Sequence, residues 1–214
     1  MRNKLRRILT RIGLRPFALY ARSICAHLCS YPKWWVLKRK KRVWLELGSG
    51  AKKGANGWTT VDFFGADISH DLRKGIPLAC ESVDRIYSSH MLEHIPYKEL
   101  IIFINECYRV LRRGGELSVC VPNAALYIHS YVAGVRFRAE DEGYGPALIE
   151  TNSLMDQVNY IAYMNQQHKY MFDPENLVNT LKLAPFADVS LRNFDEGLDL
   201  KARYSESIYA KAIK

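Results

Sequence analysis

The sequence predicts an α/β fold built on a mostly parallel sheet, and three observations predict it. Val43-Trp44-Leu45-Glu46-Leu47 is a short apolar, β-favouring run that ends in Gly48-Ser49-Gly50. Two glycines at i and i+2 let the backbone bend sharply and let a ligand come close. Further short strand-like runs follow, and several close on acidic or polar residues: Asp62, Asp71 and the pair Ser88-Ser89. Between the fourth and fifth runs, Leu100, Ile101, Ile104, Cys107, Tyr108 and Leu111 recur at helical spacing. Ligands of open α/β sheets bind at the carboxyl ends of the strands, where these glycines and acids stand.

A chain of 214 residues that is 48% hydrophobic is long enough for one sizeable domain with additions. It contains no apolar run long enough for a membrane span. Five cysteines, odd in number and without a Cys-x-x-Cys pair, read as reduced thiols of a cytoplasmic protein and supply no zinc framework. The net charge of +9 is unevenly placed. Residues 1–45 hold 13 of the 31 Lys and Arg and none of the 22 acids, so the remainder of the chain is net acidic. A nucleic-acid groove on the main domain is therefore not expected.

Residues 1–42 form a basic arm. Leu5, Ile8, Leu9 and Ile12 stand at i, i+3, i+4 and i+7 among Arg6, Arg7 and Arg11, which predicts an amphipathic helix. Phe17 to Cys29 is more apolar but is interrupted by Arg22 and His27, which argues against a secretory signal. Trp34-Trp35-Val36-Leu37 and the run Lys38–Arg42 follow. Two readings stand side by side: a helical cap on the domain, and a peripheral contact with an anionic membrane surface.

After the glycine turn, residues 51–58 show no helical periodicity, and Thr59-Thr60-Val61-Asp62 reads as the second strand. Only 12 residues separate Gly50 from Asp62. A dinucleotide site places a helix directly after its glycines to receive a pyrophosphate, and an acid about 20 residues on. There is no room for that helix, and Gly48-x-Gly50-x-x-x-Gly54 misses the pattern. A ligand with a ribose and no pyrophosphate fits better, such as S-adenosylmethionine, with Asp62 accepting from the ribose hydroxyls. Residues 66–72 predict a third strand ending on Asp71. Val83–Ser89 is the fourth, running into a helix start at His90–His94. The longer helix is expected to end at Arg112-Arg113-Gly114-Gly115. Residues 116–121 are the fifth strand, with Asp173 as N-cap of a later helix and residues 189–191 and 207–210 as the last strands.

Several blocks in this order resemble the class I S-adenosylmethionine-dependent methyltransferases, nearest the broad type 11 group. They are Leu45-Glu46-Leu47-Gly48-Ser49-Gly50, Val61-Asp62, His70-Asp71-Leu72, the run from Val83 to His94, and Glu106-Cys107-Tyr108-Arg109-Val110-Leu111-Arg112-Arg113-Gly114-Gly115. Later pieces, His168–Asp173 and Glu206–Lys211, look familiar too. The resemblance covers residues 43–214 and implies a Rossmann-like, doubly wound, seven-stranded, mostly parallel sheet with an antiparallel edge strand, preceded by the helical arm. Departures are the missing first crossover helix, Arg113 for a frequent proline, and Pro185-Phe186 for Gly-Phe.

By resemblance, Gly48, Ser49 and Gly50 lie beside the methionine moiety, with Glu46 in its supporting shell. Asp62 holds the ribose diol, Asp71 and the Leu72 backbone read the adenine edge, and Ser88 or Ser89 lies near the sulfonium. Asp84 reads as structural. Methyl transfer from a sulfonium asks the protein mainly to place the acceptor and to take its proton. His90 is the first candidate base, with His94 and His168 in reserve. His90 to His94 also spell His-x-x-Glu-His, the inverted zinc-peptidase motif. That motif admits two metal readings, zinc proteolysis and a divalent ion assisting transfer. The sequence points to no clear third ligand beyond Glu150 or Glu175, and no metal is expected. Residues 123–170, with their acidic turn 140–146 and Tyr160, Tyr163 and Tyr170, form the expected acceptor insertion. The expected acceptor is a small molecule or a lipid-linked sugar, as in polysaccharide biosynthesis. The rival readings are an inactive scaffold of the same fold and a nicotinamide oxidoreductase.

Overall fold

The computed structural model describes residues 29–137 and 151–214. The arm positions Leu5, Ile8, Leu9 and Ile12, the segment 17–28, the acidic turn 140–146 and Glu150 lie outside the described residues.

Seven strands form one sheet: β1 (Trp44–Leu47), β2 (Trp58–Asp62), β3 (Ile68–Ser69), β4 (Val83–Ser89), β5 (Leu111–Pro122), β6 (Asp188–Leu191) and β7 (Ser207–Ile213). Their order is β3-β2-β1-β4-β5-β7-β6. β1 to β5 pair in parallel, and β7 runs antiparallel between β5 and the edge strand β6. This is the class I Rossmann-like α/β fold that the sequence predicts. Leu45, Leu47, Val61, Ile86, Leu117 and Val119 are fully buried, as expected of strands covered on both faces. The register sets Leu47 beside Val61 and beside Ser88. The ends of β1, β2 and β4 therefore come level, and that alignment builds the site.

The first described helix, α1 (Tyr31–Leu37), buries Trp34 and Leu37 in the same core cluster as β1. Its neighbours reach β3: Ser69 N donates to Ser30 Oγ at 2.9 Å, and Trp34 meets His70 edge-on at 5.4 Å. Trp35 faces away, 57% exposed, with the Arg39 guanidinium over its ring.

Between β1 and β2 no helix forms, as predicted. Asp67 holds the loop instead. Its Oδ2 accepts from Gly54 N at 2.8 Å, Thr60 N at 3.2 Å and Thr60 Oγ1 at 3.0 Å. The third strand is shorter than expected. Asp71 lies beyond it as the N-cap of a 3-10 turn, Leu72–Lys74.

Residues 92–94 make a single 3-10 turn where the sequence predicts the start of a helix, and the longer helix follows separately. Pro96 is the reason: it pushes Ile95 into extended backbone, and α2 (Tyr97–Val110) begins only after it. The helix buries Leu100, Phe103, Ile104, Cys107 and Val110 on one face. It stops at Val110, short of the expected Arg-Arg-Gly-Gly end. Leu111 is fully buried in extended backbone opposite Val83, so β5 begins there. Asp84 is structural, accepting from Val43 N and from Arg112 Nη1, each at 2.7 Å. Two helices follow β5: α3 (Ala124–Val132), capped by Asn123, and α4 (Met155–Tyr163). In α5 (Pro174–Leu181) Asp173 accepts from Asn176 N at 2.7 Å, the expected cap. Among the described residues no helix is long and apolar enough to cross a membrane.

Candidate cofactor and transfer site

The turn after β1 has the predicted shape. Gly48 and Gly50 have φ of +73° and +63°, the left-handed region that glycine enters without penalty. Gly48 N donates to Val61 O at 2.9 Å, and Gly50 N donates to the Asp62 carboxylate at 2.8 Å. The two strand ends are thus tied together, and Asp62 is aimed across the turn.

Two adjoining cavities flank this turn. The larger, about 410 Å3, is lined by Glu46, Gly48, Ser49, Gly50, Ser89, His90 and Arg203. The smaller, about 280 Å3, is lined by Phe63, Asp71, Leu72, Arg73, Ile102 and Phe103. Gly48, Asp62, Met91 and His94 line both. A Cβ on Gly48 would stand 2.1 Å from Met91 Cγ, so the floor between the cavities has room for glycine alone. The pair makes one elongated recess, with Asp62 at the junction.

The candidate residues divide. Glu46, although buried, pairs with Lys52 at 2.9 Å beside the larger cavity. Ser89 lines that cavity, whereas Ser88 is fully buried and donates its hydroxyl to Leu47 O at 3.0 Å. Asp71 lines the smaller cavity, but Arg73 grips it through Nε at 2.8 Å and Nη2 at 2.9 Å. That grip holds its carboxyl below the usual range, ahead of an opposing effect of burial.

His90 directly follows β4 with φ of +50°, an unusual backbone for a residue with a side chain. Its Nε2 lies 2.8 Å from Ser207 Oγ. Burial first, then Arg203, pushes its pKa down to about 3, so the ring is neutral at ordinary pH but a weak proton acceptor. His94 and His168 come together, ring centroids 5.1 Å apart. Glu93 joins them, buried, and burial pushes its carboxyl up to about 8. These residues line a third cavity of about 80 Å3 with Tyr127, Tyr160, Arg203 and Glu206. His90, His94 and Arg203 line both this cavity and the larger one.

Sequence reasoning missed Met91, Phe63 and Arg203. Met91 and Phe63 directly follow recognised strand ends, so adjacency was an available signal. Arg203 arrives on a 3-10 turn before β7 and donates to Ser89 Oγ at 3.3 Å. No local pattern announces it.

Residues 45–119 match the family model described as a methyltransferase domain. No curated protein sequence gives a significant match. Among solved structures, the chain is similar to the S-adenosylmethionine-dependent methyltransferase SibL in its apo form, at 13% identity and TM-score 0.51. That alignment covers 95% of this chain and 58% of SibL. A SAM-dependent methyltransferase from Archaeoglobus fulgidus is similar at 15% identity and TM-score 0.49, over 86% of this chain and 90% of that one. One from Mesorhizobium loti is similar at 14% identity and TM-score 0.48, over 86% and 97%. At such identities structural likeness speaks for the fold alone, and the family model speaks for residues 45–119: that stretch is similar to a methyltransferase domain.

Proposed function

We propose that the two cavities beside the Gly48–Gly50 turn hold S-adenosylmethionine and that the protein methylates a polar acceptor entering past Tyr127, Tyr160 and Arg203. The observation that carries this reading is the junction of the two cavities. Gly48 and Asp62 line both, at the carboxyl ends of β1 and β2. The donor supplies an already activated methyl group on a sulfonium. In this reading the glycine turn accommodates its methionine end, Asp62 accepts from the ribose diol, and the wall of Phe63, Leu72 and Phe103 receives the adenine. Because Arg73 holds the Asp71 carboxylate, Asp71 shapes the Leu72 turn and the Leu72 backbone meets the adenine edge.

The chain's remaining task is to orient the acceptor and exclude water. His90, His94 and Arg203 stand where the larger cavity meets the small one, with Tyr160 on the small one's wall, which suits a hydroxyl-bearing small molecule or a lipid-linked sugar. Work on such acceptors would place the enzyme in the cytoplasm, at the inner surface of a membrane.

Calorimetry with S-adenosylhomocysteine beside NAD tests the reading. We expect the first to bind and the second not. Asp62→Ala should weaken binding by about 1.5–3 kcal/mol, the range for hydrogen bonds involving a charged group. Unchanged affinity in a folded variant would remove Asp62 from the ribose. Failure of the wild-type protein to bind S-adenosylhomocysteine would favour a scaffold role for the fold.

A further inference from the structure

We propose that Glu93, His94 and His168 form a site for one divalent transition-metal ion of the zinc or manganese kind, on the acceptor side of the cofactor cavity. For a third ligand to the His-x-x-Glu-His run the sequence offers only Glu150 or Glu175, neither of them clear. The fold supplies His168 from 74 residues downstream. One donor atom from each of the three residues lies within 4.8 Å of the others, and His94 Nε2 stands 3.8 Å from Glu93 Oε1. Donors bound about 2.1 Å from one ion are spaced by roughly 3.4 Å. A modest closing of the triangle therefore completes the coordination.

The tautomers favour the same conclusion. His94 Nδ1 lies 3.1 Å from Gln167 O, and His168 Nδ1 lies 2.7 Å from Ile161 O. A carbonyl only accepts, so in both neutral rings Nδ1 carries the proton and Nε2 keeps its lone pair. Metal-binding histidines are commonly held in this way, with the other ring nitrogen donating to a backbone carbonyl. The frame is rigid too: Lys169 N and Tyr170 N both donate to Glu93 O, at 2.7 and 3.2 Å. The ligand-bearing 3-10 turn is thereby fastened to the segment that carries His168.

Glu93 is the independent observation. Both carboxylate oxygens are buried, and among the described residues neither has a hydrogen-bond partner. A buried carboxylate without donors is costly, and each such case in a folded protein calls for a physical account. His90 Nδ1 and His94 Nε2 both approach it at 3.8 Å, beyond hydrogen-bond reach. A cation between Glu93 and the two Nε2 atoms would satisfy all three. Two imidazoles and one carboxylate suit zinc, manganese or iron and disfavour magnesium, which prefers oxygen. The open positions of such an ion would face Tyr127, Tyr160 and Arg203, the side from which the acceptor is proposed to enter. An acceptor bearing a hydroxyl or other oxygen donor is the ligand class they would take. This last assignment rests on the methyltransferase reading; the metal site itself does not.

The full-length protein, stripped with EDTA and dialysed, is titrated with Zn2+ and with Mn2+ against a chromophoric chelator. One equivalent should bind. His168→Gln and Glu93→Gln should each weaken it at least tenfold. Glu93→Gln keeps the shape and removes the anionic ligand the ion would need, and thermal unfolding of the metal-free variants checks that they remain folded. In wild-type protein, Co2+ absorption bands that change in His168→Gln would report imidazole ligation directly. Less than a tenth of an equivalent bound, or affinity unchanged in both variants, overturns the site. S-adenosylhomocysteine calorimetry on the metal-free protein separates the two readings. S-adenosylhomocysteine binding without metal binding sinks the ion and leaves the transferase, and the reverse result does the opposite.

Discussion

At the scale of single residues, the two glycines of the turn make different demands although both lie at positive φ. A Cβ on Gly50 meets nothing within 4 Å, whereas one on Gly48 overlaps Met91 Cγ at 2.1 Å. Gly50→Ala should therefore cost only the left-handed backbone, about 1–2 kcal/mol. Gly48→Ala should cost more, because Met91 or the turn itself must move. Urea unfolding of both variants checks the order, and equal losses would show that Met91 gives way freely. The turn was legible in the sequence because a glycine pair at a strand end has a strong local cause. Asp62, one strand away at a matching end, was legible for the same reason. Ser88 and Ser89 were not separable in advance. Alternation sends neighbours to opposite faces, but only the sheet decides which face meets the cavity. Arg203 and the pairing of His94 with His168 depend on long-range packing that leaves no mark in local spacing.

At the scale of elements, the loop that replaces the first crossover helix needs a substitute for helical hydrogen bonds, and Asp67 provides it. Three donors converge on its Oδ2, from Gly54 and Thr60. Asp67→Ala should destabilise the protein by about 1–3 kcal/mol, since it leaves buried donors unmatched. Gly54→Ala should loosen the same loop, because its Cβ would come 2.1 Å from Trp58 O. Burial alone would raise the Asp67 carboxyl, yet the bonds from Gly54 and Thr60, with Lys53 nearby, hold it below its ordinary 3.8. The folded pKa is thus depressed. Its contribution is complete above about pH 4 and is lost as pH falls through the folded value. Wild-type protein should lose more stability than Asp67→Ala on acidification below pH 4. Parallel acid-unfolding curves would refute the assignment. The strands themselves were readable from apolar runs bounded by glycine and proline. The end of α2 was not, because the basic pair and two glycines imitate a helix stop. Burial of Leu111 against Val83 starts β5 first, a tertiary preference that local signals do not carry.

At the scale of the whole molecule, the charge asymmetry of the chain remains to be explained, and the described part of the arm narrows the choice. Trp34 and Leu37 are built into the core, so α1 serves as a cap, and of the adjacent tryptophans only Trp35 is offered outward. The membrane hypothesis then rests on residues 1–28 and on the exposed run Lys38–Arg42 beside Trp35. Each base near an anionic surface adds about 1 kcal/mol, fading within a Debye length of roughly 8 Å at physiological salt. Several together can hold the protein reversibly without a spanning helix. The experiment must leave α1 in place, because a chain cut at Val43 would lose Trp34 and Leu37 from the core. A shortened chain beginning at Cys29 should fold and bind S-adenosylhomocysteine as the full-length protein does. Full-length protein should float with vesicles containing anionic lipid at low salt, and release at high salt. It should ignore neutral vesicles, and the shortened chain should float poorly with either. Equal flotation of both chains would move the contact to Trp35 and Lys38–Arg42. If neither floats, the basic arm has some role other than carrying this domain to a lipid surface.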